Sequence, residues 1–342
     1  MAVAESAPAV AGPIDWLRGP RFDLSLIVGV LALALVLGAA GCASPALFAA
    51  VIAVDFWLLA YPHALSTFTR IAFDREGARA HAFLLFGLPP LVFAATAGAV
   101  ALGGVLALNT IYFFWQSWHY TRQSYGIARA YHRSAGSDPA GDRLSDLVVF
   151  AWPSWGLLHR AHQQPAEFYG GPIWLPPVPK PLVVLAGALA LGALALWTAR
   201  HLRALAAGRP RSTGHALFVL SHVVITAVSY LVVREITLGW LFINIWHNAQ
   251  YLLFVWAMNV RRFRGGVDPR RAFLSRLCQP EQALRYALVC LALSSGFYFA
   301  LGQATGRMSW EVLPFVLVCH QTVNFHHYIV DAMIWRSRAQ RA

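Results

Sequence analysis

The side chains best suited to chemistry stand together near the C-terminus of this 342-residue sequence. Between Cys319 and Asp331, an apolar segment carries three histidines, an asparagine and an aspartate. Ionisable groups inside a membrane-length apolar segment are costly and usually mark a functional site. If the segment is a helix, His320, Asn324, His327 and Asp331 follow one another at intervals of four, three and four residues and share one face.

Histidines recur in other apolar segments, which makes a metal site the first hypothesis. Of the thirteen histidines, seven lie inside or at the rim of such segments. They are His63, His119, His222, His247, His320, His326 and His327. One buried histidine is most often a packing residue, but seven on five segments indicate convergence. Because imidazole is a common ligand of transition metals, we predict that these side chains bind metal.

Polar residues near these histidines are candidates for supporting roles. Asp331 lies one helical turn after His327, where a carboxylate can orient an imidazole. Arg122 is the one arginine that lies in the interior of a predicted span, away from its ends. It is expected to pair with Asp331 or Asp55, to bind an anionic group of a substrate, or to extend towards lipid phosphate. Asparagines such as Asn244 have two interpretations, as acceptors for imidazole N–H groups or as polar contacts between helices.

The composition places these residues in a membrane protein. Hydrophobic residues make up 58% of the chain and charged residues only 12%, against about 25% in soluble domains. The charges bracket long neutral runs, several of which reach the roughly 20 residues that cross a bilayer as a helix. The net charge of +12 therefore indicates basic cytoplasmic loops rather than a nucleic-acid partner. The four cysteines form no C-x-x-C pair, so neither a disulfide framework nor a zinc ribbon is expected.

The fold prediction is an all-α, polytopic transmembrane bundle of about ten spans. The spans are placed at 23–41, 46–69, 82–105, 107–130, 145–160, 181–200, 213–233, 237–259, 284–302 and 310–335. Residues 1–22 and 337–342 are predicted as cytoplasmic tails around one transmembrane domain, 23–336. With both termini cytoplasmic, the inner segments hold 22 lysines and arginines and the outer segments four, as the positive-inside rule requires. The loop 161–180 is then an ordered cap on the outer face of a bacterial-type inner membrane.

Four short motifs, taken in order, resemble those of the bacterial beta-carotene central-cleavage dioxygenases, which are retinal-forming membrane enzymes. The motifs are Pro62-His63-Ala64-Leu65, Trp118-His119-Tyr120, Ile245-Trp246-His247 and His326-His327-Tyr328-Ile329-Val330-Asp331. The resemblance implies a non-haem iron bound by His63, His119, His247 and His326. Two positions depart from the family pattern. Tyr251 stands where a second histidine is expected, and Ser66 or Thr67 stands where an acidic residue follows the Pro-His pair.

The leading hypothesis is an iron-dependent oxygenase of the bilayer. Neutral imidazoles would hold one or two non-haem Fe(II) ions, and Asp331, Tyr251 and Arg122 are the candidate catalytic residues. Dioxygen and a lipophilic carotenoid or other isoprenoid would be the substrates, the latter delivered sideways from the lipid. The first alternative is a proton-coupled transporter or channel in which histidines and Asp331 relay protons. The second is a b-type haem protein with two axial histidines.

Overall fold

The computed structural model describes residues 16–73, 75–135, 142–208, 212–306 and 315–334, and most of them lie in helices. In chain order the helices are α1 (Pro20–Ala43), α2 (Pro45–Phe68), α3 (Arg75–Ala80), α4 (Phe83–Ser134), α5 (Arg143–Gln163), α6 (Lys180–Ala206), α7 (Thr213–Val232), α8 (Ile236–Arg262), α9 (Ala272–Leu277), α10 (Ala283–Gly306) and α11 (Phe315–Ile334). Two 3-10 turns, Pro269–Arg271 and Pro280–Gln282, flank α9. The prediction of an all-α protein is thus confirmed for the described residues, whose only strands form one short hairpin.

Six of these helices are long and apolar enough to cross a membrane, namely α1, α2, α4, α6, α7 and α10. The prediction of a membrane-embedded helical protein is confirmed to that extent. The described residues of the ten predicted spans lie almost entirely in nine of the helices, because spans 82–105 and 107–130 share α4. Residues 310–314 and 335 of the last span lie outside the described part of the chain. So do residues 1–15 of the predicted N-terminal tail, and residues 336–342, which comprise the predicted end of the transmembrane domain and the C-terminal tail.

Helix α4 joins two predicted spans, 82–105 and 107–130, in one element of 52 residues. Its backbone leaves helical geometry at Gly104, where φ is 65° and ψ is −163°. Glycine adopts positive φ without the steric cost of a Cβ atom. The helix is therefore kinked where the sequence predicted a turn between two spans.

Polar caps define where several helices begin. Ser44, Asp142, Ser212 and Glu235 accept hydrogen bonds from backbone N–H groups in the first turns of α2, α5, α7 and α8. Pro45 lies at the first position of α2, where no N–H donor is needed. These residues satisfy backbone groups that would otherwise lack partners, and so they set the starting points of the helices.

Helix α8 lies at the centre of the bundle and packs against α1, α2, α4, α7 and α10. Every residue from Gly239 to Tyr251 is buried. Because its neighbours cover it on all sides, α8 faces other helices and not solvent or lipid. For this reason α8 can carry Asn244, His247 and Asn248 in the protein interior, although it is less apolar than the six membrane-length helices.

A hairpin between α5 and α6 packs against the middle of α4, just after the kink at Gly104. Strands β1 (Glu167–Phe168) and β2 (Gly171–Pro172) pair antiparallel. Tyr169 and Gly170, at the turn, have φ values of 53° and 70°, as in a two-residue type I′ turn. Asn109 of α4 donates from Nδ2 to the carbonyl of Pro172 at 3.1 Å. We call residues 167–172 the cap.

Candidate metal centre

Four histidines from four helices meet in the interior of the bundle. They are His63 on α2, His119 on α4, His247 on α8 and His327 on α11, and none is more than 5% exposed. One ring nitrogen from each of His63, His119 and His247 lies within 4.8 Å of the other two. Ligand atoms of His119, His327 and Asp331 form a second group within the same limit. We call the four histidines the imidazole cluster.

The rings of the imidazole cluster contact one another directly. The ring centroid of His63 lies 4.7 Å from that of His247 and 4.6 Å from that of His327. The centroid of His119 lies 4.9 Å from His247 and 5.0 Å from His327. The Nε2 atoms of His63 and His327 are 2.7 Å apart. Two ring nitrogens at this distance either share one proton or face a common positive ligand.

Three buried ring nitrogens of the cluster have no hydrogen-bond partner among the described residues. They are His63 Nδ1, His119 Nε2 and His247 Nδ1. Buried polar atoms normally have a partner, because leaving one unpaired costs about 1–3 kcal/mol. Neutral imidazole nitrogens are ligands for zinc, copper, iron and nickel. By its donor atoms, the imidazole cluster therefore fits a transition-metal ion.

The orientation of His327 is set by side chains of α2, α8 and α11. Asp331 accepts hydrogen bonds at Oδ1 from Thr67 Oγ1, at 3.0 Å, and from the hydroxyl of Tyr251. Since the single proton of Thr67 goes to Asp331, Thr67 Oγ1 accepts from the Nδ1–H of His327, 3.0 Å away. His327 Nε2 then carries a lone pair on the side that faces His63. Sequence reasoning missed this role of Thr67, although its spacing of four residues from His63 places both on one helical face.

Two tyrosine rings cover the imidazole cluster. The ring of Tyr328 stacks on His119 with centroids 4.3 Å apart, and the ring of Tyr120 lies 4.3 Å from His247. Both tyrosines are buried. Aromatic packing of this kind fixes the planes of these two imidazoles.

The hydroxyls of these tyrosines enter a chain of hydrogen bonds that ends at Asp55. Tyr328 donates to Gln116 Oε1 at 2.5 Å, and Gln116 Nε2 donates to the hydroxyl of Tyr120. Tyr120 donates to Asn244 Oδ1 at 2.5 Å, and Asn244 Nδ2 donates to Asp55. The side-chain amides of Gln116 and Asn244 therefore make polar contacts between helices, which is the second of the two predicted roles. The groups that join them to the imidazoles are the tyrosines that pack on the rings.

His326, predicted as a ligand through the family motif, lies outside the imidazole cluster. Its Nε2 is 2.6 Å from the carbonyl oxygen of Leu84, and its ring stacks on Phe68 with centroids 5.6 Å apart. Adjacent residues on a helix project about 100° apart, so His326 and His327 cannot both face the cluster. The signal that identifies His327 in the sequence is its spacing of four residues from Asp331.

His222 and His320 also lie apart from the imidazole cluster. His222 Nε2 is 3.0 Å from the carbonyl oxygen of Val149, which joins α7 to α5. The ring of His320 packs 5.3 Å from that of Tyr298. Of the seven predicted metal-ligating histidines, the structure brings four together and leaves His222, His320 and His326 elsewhere.

Tyr251 and Arg122, both predicted as catalytic, lie in different surroundings. Tyr251 contacts Asp331 and belongs to the site. Arg122 lies over the ring of Tyr125, with 4.9 Å between its guanidinium carbon and the ring centroid. Within the described part of the chain, no ion pair joins Arg122 to Asp331 or Asp55, so the predicted ion pair is not formed.

A cavity of about 800 Å³ extends between the cap and the imidazole cluster. Tyr169 and Gly171 of the cap line it, and so do His63, His247 and His327. Cavities that bind small molecules commonly have volumes of about 300–1,000 Å³. Three of the four clustered histidines thus face a space large enough for a ligand.

No family model matches the chain, and no curated protein or solved structure matches it either. The resemblance to the beta-carotene-cleaving family therefore stays a prediction based on four short motifs. The first three motifs supply His63, His119 and His247 to the imidazole cluster. The fourth supplies His327 in place of His326.

Proposed function

We propose that the protein is a membrane-embedded oxygenase that uses non-haem iron bound by the imidazole cluster. The observation that carries the proposal is the set of three buried nitrogens, on His63, His119 and His247, without a hydrogen-bond partner in the described residues. Unpaired buried atoms of this kind are expected where a metal binds. The two groups of ligand atoms share His119, which fits one or two Fe(II) ions.

The four clustered histidines would hold the metal, and Asp331 is close enough to join them. A ferrous ion with open coordination positions supplies the activation of dioxygen. The protein's own residues prepare the ligands for this role. Thr67 keeps the proton of His327 on Nδ1, so that Nε2 remains a lone-pair donor. The ring of Tyr328 fixes the plane of His119.

The substrate that suits this setting is lipophilic, such as a carotenoid or another isoprenoid. Three of the six apolar helices, α2, α4 and α10, line the cavity that reaches the imidazole cluster, together with α8 and α11. We further propose that ten spans cross a bacterial-type inner membrane with both termini in the cytoplasm, and that the bilayer delivers the substrate. The distribution of 22 basic residues to one side and four to the other supports this orientation.

A proton relay is the alternative that a specific contact favours. The Nε2 atoms of His63 and His327 are 2.7 Å apart and can share a proton. A b-type haem is disfavoured, because its two axial imidazoles must lie on opposite faces of a porphyrin. The rings of the imidazole cluster instead contact one another, with centroids 4.6–5.0 Å apart for four of the pairs.

Metal analysis of purified protein, combined with two neighbouring alanine variants, tests the proposal. We expect one or two iron ions per chain in the wild type, with no Soret band in its absorption spectrum. His327→Ala should lose most of the iron. His326→Ala is the matched control, since it removes the adjacent imidazole on the same helix and should retain the iron.

Equal iron content in the two variants would contradict the assignment of the ligands. A protein that binds no transition metal when expressed with iron, cobalt or manganese would favour the proton relay instead. The reaction is tested separately, by supplying iron-loaded protein with beta-carotene and dioxygen and analysing the products by chromatography.

A further inference from the structure

The part of the cavity wall that α11 forms carries hydrogen-bonding groups that the imidazole cluster does not use. Helix α11 lines the cavity with His320, Gln321 and Asn324 before it reaches His327. His320 precedes His327 by seven residues, which corresponds to about 10 Å along a helix. The cavity wall therefore has a polar region about 10 Å from the imidazole cluster.

These groups on α11 have unused hydrogen-bonding capacity. Gln321 Oε1 accepts from Asn324 Nδ2 at 3.3 Å. Its own Nε2 donates to none of the described residues, and neither ring nitrogen of His320 has a hydrogen bond within the described ranges. Both side chains line the cavity. A ligand oxygen next to them can accept from the amide and either accept from or donate to the imidazole.

Tyr169 presents a third unused group from the cap. Its hydroxyl is buried and has no hydrogen-bond partner among the described residues, and the residue lines the same cavity. Its backbone is held at φ 53°, a left-handed conformation that is unfavourable for a residue with a Cβ atom. A hydrogen bond of 3.1 Å from its backbone N–H to Thr237 Oγ1 maintains this conformation. The type I′ turn requires this positive φ, and the hydrogen bond to Thr237 fixes the position of Tyr169 at the cavity wall.

Flat aromatic surfaces adjoin the polar groups. The rings of Tyr61 and Tyr298 stack with centroids 3.7 Å apart, and Tyr298 packs against His320. All three residues line the cavity. This part of the wall therefore combines hydrogen-bonding atoms with faces that suit an unsaturated or flat apolar chain.

We infer that the cavity binds an isoprenoid lipid with a hydroxyl or carbonyl oxygen, which is held by His320 and Gln321 on α11. The apolar chain of the lipid then extends towards the imidazole cluster. A pure hydrocarbon would leave these polar groups buried without partners, and each lost hydrogen bond lowers affinity by about tenfold. The inference rests on the proposed function in one respect, since it treats the bound lipid as the substrate of the iron site.

The volume of the cavity indicates the size of this lipid. At about 30 Å³ per non-hydrogen atom, which is the share of one water molecule in the liquid, 800 Å³ holds roughly 25 such atoms. An isoprenoid alcohol of about 20 carbons fits within this volume. A carotenoid of about 40 carbons would have to extend beyond it.

The test compares two ligands that differ by one hydroxyl. Radiolabelled geranylgeraniol and the hydrocarbon of the same skeleton, with hydrogen in place of the hydroxyl, are bound to purified protein in detergent after removal of metal by a chelator. The variants are Gln321→Leu and the double variant His320→Phe/Gln321→Leu. Gln303→Leu, at an exposed position on the neighbouring α10, is the matched control. Thermal unfolding of each variant establishes that it is folded.

We expect the wild type and Gln303→Leu to bind the alcohol at least tenfold more tightly than the hydrocarbon. Gln321→Leu should reduce this preference, and the double variant should abolish it while keeping its affinity for the hydrocarbon. Equal affinities for the two ligands in the wild type would overturn the inference, and so would a preference that survives in the double variant. Because binding is measured without metal, absence of iron in the protein would refute the proposed function and leave this result unaffected.

Discussion

At the scale of single residues, the Thr67 hydroxyl controls the most constrained imidazole of the cluster. It donates to Asp331 and accepts from Nδ1 of His327. The family resemblance led us to expect an acidic side chain near this position of α2. In the structure Asp331, on α11, supplies the carboxylate, and Thr67 connects it to the imidazole. Because Asp331 supplies the carboxylate, a threonine at this position of α2 is sufficient to orient His327.

We predict that Asp331→Asn weakens iron binding about 10–100-fold without preventing folding, because residues that orient metal ligands have effects of that size. The measurement is metal content after competition with a chelator of known affinity. Asp55→Asn is the matched control, since Asp55 is equally buried but contacts the amides of Asn244 and Asn248 instead of an imidazole. Wild-type affinity in the Asp331 variant would exclude a supporting role for this carboxylate.

Asp142, which caps α5, makes stability depend on pH. Burial opposes its ionisation, but hydrogen bonds from Arg200 and Ser145 outweigh that effect and hold the pKa of the carboxyl well below its usual range. Since the pKa in the folded state is lower than in the unfolded state, the carboxylate stabilises the fold above about pH 4. That stabilisation is lost as the pH falls below this value towards the folded-state pKa.

We therefore predict that the melting temperature of the protein in detergent falls between about pH 5 and pH 3, and that Asp142→Asn reduces this fall. An asparagine keeps the capping oxygen but cannot titrate. Ser145→Ala is a useful comparison, because it removes the hydroxyl that donates to Asp142 and accepts from Trp197, and it leaves the carboxyl and its arginine in place. Identical slopes for the wild type and the Asn variant would show that Asp142 contributes nothing to the acid sensitivity.

At the scale of elements, one buried guanidinium joins α5 to the connection between α7 and α8. Arg160 is 1% exposed. It donates to the carbonyl oxygens of Ser229, Val233 and Arg234 at 2.5–2.7 Å. The last carbonyls of a helix lack partners within it, and a cation there is favourable. This contact holds the start of α8, and hence the helix that carries His247, against α5.

The close approach at this connection depends on Gly239. A Cβ atom at this position would lie 2.3 Å from the carbonyl oxygen of Ser229 and 2.6 Å from a guanidinium nitrogen of Arg160. We predict that Gly239→Ala destabilises the protein by about 1–3 kcal/mol, as forced overpacking does. Gly192→Ala, on α6, is the control because nothing lies within 4 Å of its added methyl group. Thermal unfolding in detergent measures both, and equal melting temperatures would contradict the prediction.

At the scale of the whole molecule, segments predicted on the same side of the membrane lie together. Arg271 pairs with Glu76 at 2.6 Å, which joins two predicted cytoplasmic loops. Asn109, near the predicted outer end of span 107–130, contacts Pro172 of the cap. The proposed topology of ten spans places the two members of each pair on one side of the membrane.

Reporter fusions provide the test of this topology. Alkaline phosphatase, which is active only outside the cytoplasm, should be inactive when fused after Arg336 and active when the chain is truncated and fused after Lys180. Green fluorescent protein at the same two positions should give the opposite result. Phosphatase activity after Arg336 would exclude the ten-span topology.

The sequence by itself was sufficient to predict the helices and the apolar character of the molecule. Runs of neutral residues between charges extend over membrane length, and a backbone in lipid must satisfy its hydrogen bonds within each segment. The same reasoning identified every histidine of the imidazole cluster, because a buried imidazole in such a segment is unusual. It also placed His327 and Asp331 on one face, through a spacing that any α-helix imposes.

Only the tertiary structure distinguished His327 from His326 and separated the four clustered histidines from His222 and His320. Rotation of each helix about its own axis determines which of two adjacent side chains faces a site, and this rotation is set by packing against the other helices. Local features such as the π-helical turn Phe56–Ala60 before His63 also change the direction in which later side chains of the helix point. The link from Thr67 to Asp331 joins residues 264 positions apart, a contact that follows from how α2 and α11 pack and is absent from any local pattern.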